Sequence, residues 1–98
     1  MKILILGAGQ VGSTLAKYLC SDNDNDITIV DQKEEMLTPL QRHLDIKTVI
    51  GYGAYPSILE KAGIKSMDVV IAVMRSDERN MVACRMAHTL YNVKKKIA

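Results

Sequence analysis

The chain has 98 residues, enough for one hydrophobic core but too few for a nucleotide site plus a separate substrate domain, so residues 1–98 are expected to form one domain. With 48% hydrophobic and 24% charged residues it has the balance of a soluble globular protein, and its longest apolar run, Val69 to Met74, falls far short of the roughly 20 residues a membrane helix needs. A net charge of +2, with tyrosines not interleaved with basic residues, predicts no nucleic-acid partner, and the lack of a signal-peptide pattern places the chain in the cytoplasm.

Short β-branched runs alternate with amphipathic segments, the pattern of parallel strands joined by crossover helices. Lys2 to Leu6 is the first strand, apolar on consecutive positions as a strand buried on both faces must be. A glycine turn leads into a first helix with Val11, Leu15 and Leu19 on one stripe. Gly12, Ala16 and Cys20 lie beside them and let the helix sit close on the sheet. It stops at Ser21-Asp22-Asn23-Asp24-Asn25, and Ile27 to Val30 is the second strand. The second helix, around Lys33 to Leu44, turns Met36 or Leu37, then Leu40 and Leu44, inward. It contains Pro39, so either a kink or, from the capping-box spacing of Thr38 and Gln41, a second helix start is expected there.

Lys47 to Ile50 is the third strand, and a short helix from Pro56 to Ala62 ends at Gly63, suited to a left-handed conformation. Asp68 to Val73 is the fourth strand, which shares the centre of the sheet with the first. The last helix runs from Asp77 to about Lys94 with Ser76 as its N-cap. It carries two apolar stripes: one covers the sheet, and the other either broadens that contact or meets another subunit or a missing segment. Lys94-Lys95-Lys96 is read as cations at the last turn of this helix, with an acidic or lipid partner as the other reading.

The first strand, the turn Gly7-Ala8-Gly9-Gln10-Val11-Gly12, the helix behind it and Asp31 at the end of the second strand, nineteen residues past Gly12, form a dinucleotide-binding pattern. Gly7 permits the tight turn, Gly9 lets the backbone approach a pyrophosphate, and Gly12 lets the helix pack on the strand. The anion would rest on free amides at the helix N-terminus. Asp31, with Gln32 beside it, would accept the adenosine ribose hydroxyls and repel a 2′-phosphate, which favours NAD(H) over NADP; Lys33 weakens that exclusion. The predicted fold is a Rossmann-type doubly wound parallel α/β sheet in the order 3-2-1-4, truncated after the fourth strand with a fifth barely begun.

Ligands of such sheets bind outside the carboxyl ends of the strands, so the loop Met74-Arg75-Ser76 should face the site, with Arg75 either reaching phosphate or solvated. Gly51-Tyr52-Gly53-Ala54 would border the adenine, with Gly53 giving it room; Tyr52 is read as a surface tyrosine, with stacking as the other reading. Asp22, Asp24 and Asp26 imitate the start of a calcium loop, but Ile27 and Lys33 occupy its glycine and glutamate positions, so no metal site is expected. Cys20 and Cys84 form no metal or disulfide pattern and are read as reduced and buried, while His43 and His88 accompany no nucleophile motif. No catalytic constellation is recognisable, and the chain is read as not an enzyme.

In fixed order, the segments LGAGQVGSTLA (Leu6 to Ala16), ITIVD (Ile27 to Asp31), ILEKAGI (Ile58 to Ile64), VVIAV (Val69 to Val73) and SDERNM (Ser76 to Met81) closely resemble the N-terminal domain of Trk-type potassium-uptake regulators, the RCK or KTN domains, over essentially the whole chain. The resemblance implies a cytosolic regulatory subunit, peripheral to the plasma membrane. It would bind NAD(H), or ATP or ADP as related members do, and assemble as a homo-oligomer beneath a membrane potassium-translocating subunit. By position, Gly7, Gly9, Gln10, Val11 and Gly12 match the phosphate loop, Asp31 the ribose acid, Gly53 and Ala54 the adenine-side turn, and Ser76, Asp77 and Glu78 the loop facing the far half of the ligand. Tyr52 stands where the family has a small polar or acidic residue, Ala54 where a hydroxyl is common, and Met74-Arg75 where a threonine-asparagine pair is typical. The resemblance also implies that the sheet is cut short at Ile97-Ala98, as in an excised piece with one sheet edge exposed or paired with a second copy. The alternative function is the cofactor-binding fragment of an NAD-dependent dehydrogenase, whose acid or base would come from another domain.

Overall fold

The computed structural model describes residues 1–53, 55–74, 80–81 and 95–97. Within them, β1 (Lys2–Leu6), β2 (Asp26–Asp31), β3 (Lys47–Ile50), β4 (Val69–Ala72) and β5 (Lys95–Ile97) pair in parallel into one sheet, in the order β3-β2-β1-β4-β5. Ile3 is level with Ile27 and Val69, and Leu6 with Val30 and Ala72. Residues Ile3 to Leu6, Ile27 to Val30 and Val69 to Ala72 are all buried, which explains why they are apolar at every position but Thr28: both faces of these strands are covered.

The covers differ on the two faces. On one, Ile3, Ile5, Ile27 and Ile29 pack against α1 (Gln10–Cys20) and α2 (Glu34–His43) through Ala16, Leu37 and Leu40. On the other, Leu4, Leu6, Val30 and Val70 pack against α3 (Pro56–Lys61) and a 3-10 turn (Ile64–Ser66) through Leu59 and Ile64. Gly63, between α3 and the 3-10 turn, adopts the left-handed conformation at φ 82° that its place after the helix predicts. Helices on both faces of a parallel sheet are the doubly wound arrangement expected from the sequence.

Four sequence expectations are corrected. Val11 does not share the buried stripe of α1. It is 59% exposed, because the helix turns Gly12 and Ala16 inward, with Leu15, Leu19 and Cys20 only partly covered. Cys20 is therefore half-buried, not a core residue. Pro39 does not start a second helix, since α2 runs continuously from Glu34 to His43 and the Thr38 hydroxyl donates back to the Glu34 carbonyl (3.0 Å) instead of capping a new turn. Lys95 and Lys96 are not at a helix end. They lie on β5, level with Val69 and Val70 of β4.

Of the expected last helix only Asn80 and Met81 fall among the described residues, both helical, Asn80 buried and Met81 exposed. Ser76, Asp77, Lys94 and the remainder of both apolar stripes lie outside them. No helix of the described residues is long and apolar enough to cross a membrane.

Candidate functional site

At the carboxyl ends of the strands the backbone ladder continues into the loops. Gly7 N–H donates to the Val30 carbonyl (2.8 Å), Val73 N–H to that of Leu6 (2.9 Å) and Gly51 N–H to that of Asp31 (2.9 Å). These aligned ends floor a cleft bordered by Gly7, Gly9, Val30, Asp31, Gln32, Lys33, Met36, Gly51, Tyr52, Gly53, Val73 and Met74. It lies where the sheet order puts β1 between β2 and β4, the switch point at which ligands of open α/β sheets are held.

The three turn glycines do three different jobs. Gly7 has φ 113°, a conformation that disfavours any side chain, and a Cβ there would lie 2.8 Å from the Val73 carbonyl oxygen. At Gly12 a Cβ would run into the Gly7 carbonyl, so this glycine lets α1 close on the turn itself and on the Val73 side chain. Gly9 is unlike both: its backbone is extended at φ −70°, and nothing lies within 4 Å of where its Cβ would be. The protein's own packing does not demand a glycine there.

Gly9 is the N-cap of α1 and brings no side-chain cap, while the first helical turn carries no acidic residue. The positive end of an eleven-residue helix therefore opens beside the cleft with no acid of its own first turn to offset it. Next to it, Asp31 is half-buried and meets the backbone through both oxygens: Oδ2 accepts the Ala8 N–H (2.8 Å) and Oδ1 the Lys33 N–H (2.8 Å). An ionised carboxylate offers about four acceptor positions, so each oxygen keeps capacity for a further donor such as a sugar hydroxyl.

Gly53 is buried against Leu6 and Met74, with an added Cβ 3.3 Å from the Leu6 side chain and 3.4 Å from the Met74 sulfur. Its tightness comes from the core beneath it, in addition to any room it leaves above. Tyr52 is half-buried in the cleft wall, and its ring meets that of Tyr55 edge-to-face with centroids 4.8 Å apart. Past β4, the Asn80 side chain brackets Met74: Oδ1 accepts the Met74 N–H (2.7 Å) and Nδ2 donates to the Met74 carbonyl (3.0 Å).

Of the residues the sequence nominates, Gly7, Gly9, Asp31, Gln32 and Gly53 come together around the cleft. Ala8 is buried and touches the site through its amide, Gln10 and Val11 are exposed at the helix start, and Gly12 is buried beneath the turn. Ala54, Arg75 and Ser76 lie outside the described residues. Met74 borders the cleft, as expected of the loop after the fourth strand, while sequence reasoning missed the roles of Met36, Val73 and Asn80. Met36 read as helix core, and nothing in a polar residue within an amphipathic segment announces that Asn80 binds the Met74 backbone. Asp22, of the imitation calcium loop, accepts the Asp24 N–H (2.9 Å) within a tight turn.

The fold and its glycine turn define a Rossmann-type α/β domain. Residues 3–98 match the family model of the TrkA-N domain, and the chain belongs to that family. It is 53% identical, over its whole length, to the Trk system potassium uptake protein TrkA of Halomonas elongata, of which it covers 21%. Among solved structures, the Kef CTD of Shewanella denitrificans in its AMP-bound form superposes with a TM-score of 0.81 at 23% identity, over 99% of this chain and 57% of that one. The TrkA-N domain of an inner membrane protein from Escherichia coli superposes equally well, with a TM-score of 0.81 at 19% identity, over 97% of this chain and 69% of that one. At these identities the structural likeness establishes the fold.

Proposed function

We propose that the chain is the nucleotide-binding regulatory domain of a potassium-uptake system, with NAD(H) as its ligand and ATP or ADP as the alternatives. The observation that carries this reading is Gly9, a glycine that neither its backbone conformation nor its packing requires, at an uncapped helix N-terminus beside an acid at the end of the next strand. A pyrophosphate laid against the Gly9 backbone would supply the missing reason for that glycine. The ribose hydroxyls would then donate to the free positions of the Asp31 carboxylate, and the bulk of Gln32 and the charge of Asp31 would stand where a 2′-phosphate would have to go.

Family membership supports the regulatory part of the reading, since the curated relative is a potassium uptake protein. The bound AMP of the structural neighbour supports an adenine nucleotide as the class of ligand. On this reading residues 1–98 act as one domain of a cytoplasmic, non-catalytic subunit, which forms homo-oligomers on a membrane potassium-translocating partner. Ligand binding would change transport by favouring one assembly state over another, which requires unequal affinity for the two. Calorimetric titration with NADH, NAD⁺, NADPH, ATP and ADP tests it. Preference for NADH or NAD⁺ over NADPH supports the reading, preference for ATP or ADP changes the signal but keeps the regulator, and silence with all five ligands refutes it.

A further inference from the structure

We infer that Tyr52, braced by Tyr55, is the residue on which this cleft stacks the base of its nucleotide; the inference rests on the nucleotide reading of the cleft and deepens it. Tyr52 is the only aromatic side chain bordering the cleft among the described residues. Its backbone is fixed on both sides by close-packed glycines. A Cβ at Gly51 would lie 2.8 Å from Ile58 Cγ1, and one at Gly53 would lie 3.3 Å from Leu6. The ring is therefore carried by a segment pressed onto the core.

Tyr55 adds a second restraint. Its N–H donates to the Tyr52 carbonyl (3.0 Å) to close a turn, and that turn returns its ring to Tyr52 at an interplanar angle of 67°. Edge-to-face pairs of this kind hold each other's orientation, so Tyr52 loses little side-chain freedom when a flat ligand settles on it. The position also suits a base. Asp31 is level with Ile50, and Gly51 N–H bonds to the Asp31 carbonyl, so the ribose acceptor closes one strand while the tyrosine lies in the loop that leaves the neighbouring strand. A ribose hydroxyl on Asp31 places the attached base over the loop that follows β3. Across the same cleft, the Met36 thioether offers a polarisable wall that favours aromatic edges.

The test uses AMP and ribose 5-phosphate as probes, the second being the same sugar phosphate without a base. Calorimetry on Tyr52→Ala should show AMP affinity falling roughly tenfold or more, Tyr52→Phe staying within about threefold of the parent, and ribose 5-phosphate unaffected by either. Tyr55→Ala should give a smaller loss, non-additive with Tyr52→Ala. Because the chain has no tryptophan, its emission comes from tyrosine, and AMP should quench part of it in the parent but much less in Tyr52→Phe at matched saturation. AMP binding by Tyr52→Ala within about twofold of the parent overturns the stacking role while leaving the nucleotide site standing. Equal loss of AMP and ribose 5-phosphate overturns it too, because the tyrosine would then shape the cleft and not hold the base. A parent protein that binds no adenine nucleotide removes the nucleotide reading and this inference together.

Discussion

The carboxylate of Asp31 accepts the backbone N–H of Ala8 at 2.8 Å, so the acid at the end of β2 ties down the glycine turn after β1 as well as facing the cleft. With Lys33 N–H on its other oxygen, it fixes the start of α2 at the same time. Asp31→Ala should therefore cost about 2 kcal/mol of folding stability, as two amides lose a charged acceptor, measured by urea unfolding. A change under about 0.5 kcal/mol would show that water replaces the carboxylate without penalty.

The same dual role decides how selectivity should be measured. Asp31→Ala will weaken every nucleotide by loosening the turn, so loss of affinity alone says nothing about the ribose. The ratio of NADH to NADPH affinity is the informative quantity. It should fall in the variant, because the charge that repels a 2′-phosphate is gone; an unchanged ratio would mean that Asp31 does not meet the ribose.

Gly9→Val separates folding from binding. With extended φ and an empty surrounding, the variant should unfold within about 0.5 kcal/mol of the parent yet lose nucleotide binding in calorimetry. Gly7→Ala and Gly12→Ala should behave in the opposite way, each losing about 2 kcal/mol or more, since one forces a side chain into positive φ and the other drives it into the Gly7 carbonyl. Retained binding in Gly9→Val would mean that the turn is not where the phosphates sit.

Asn80→Ala strips both partners from the Met74 backbone, and a loss of about 2 kcal/mol is expected in chemical denaturation. Asn80→Asp should not rescue it, because a carboxylate can accept the amide but cannot donate to the carbonyl. Full stability in either variant would show that the bracket is dispensable.

Pro39→Ala should stabilise the protein by about 1 kcal/mol. The residue is exposed inside a continuous helix, and alanine restores the donor that proline lacks, less the entropy that proline removes from the unfolded chain. Destabilisation would show that the proline fits a bend that α2 requires.

Strand order, the covered faces of β1 and β4, and the glycine turn were legible because each leaves a local mark: consecutive apolar residues, β-branching, or glycine at fixed spacing. Where local marks are ambiguous, the sequence misled. Val11 and Gly12 begin neighbouring stripes on one helix, and only the contact of Gly12 with the Gly7 carbonyl decides which stripe turns inward. Lysine runs suit a helix end and a sheet edge alike, so Lys95 and Lys96 could not be placed without their partners on β4. The bond from Asp31 to Ala8 and the bracket of Asn80 on Met74 were invisible for a different reason, since they join side chain to backbone, and backbone carries no letter.

The strand at the middle of the sheet takes its two neighbours from widely separated parts of the sequence. β1 finds its neighbour β2 soon after synthesis, but its other edge waits for β4, a partner 66 residues further on, as the bond between Lys2 and Asp68 shows. On the ribosome the apolar segment Ile3 to Leu6 therefore stays open along one side until Val69 to Ala72 have emerged. Such distant pairing slows folding and leaves a sticky strand edge uncovered meanwhile. The architecture that opens a cleft at the carboxyl end of β1 thus also leaves that strand waiting on a distant partner while the protein folds.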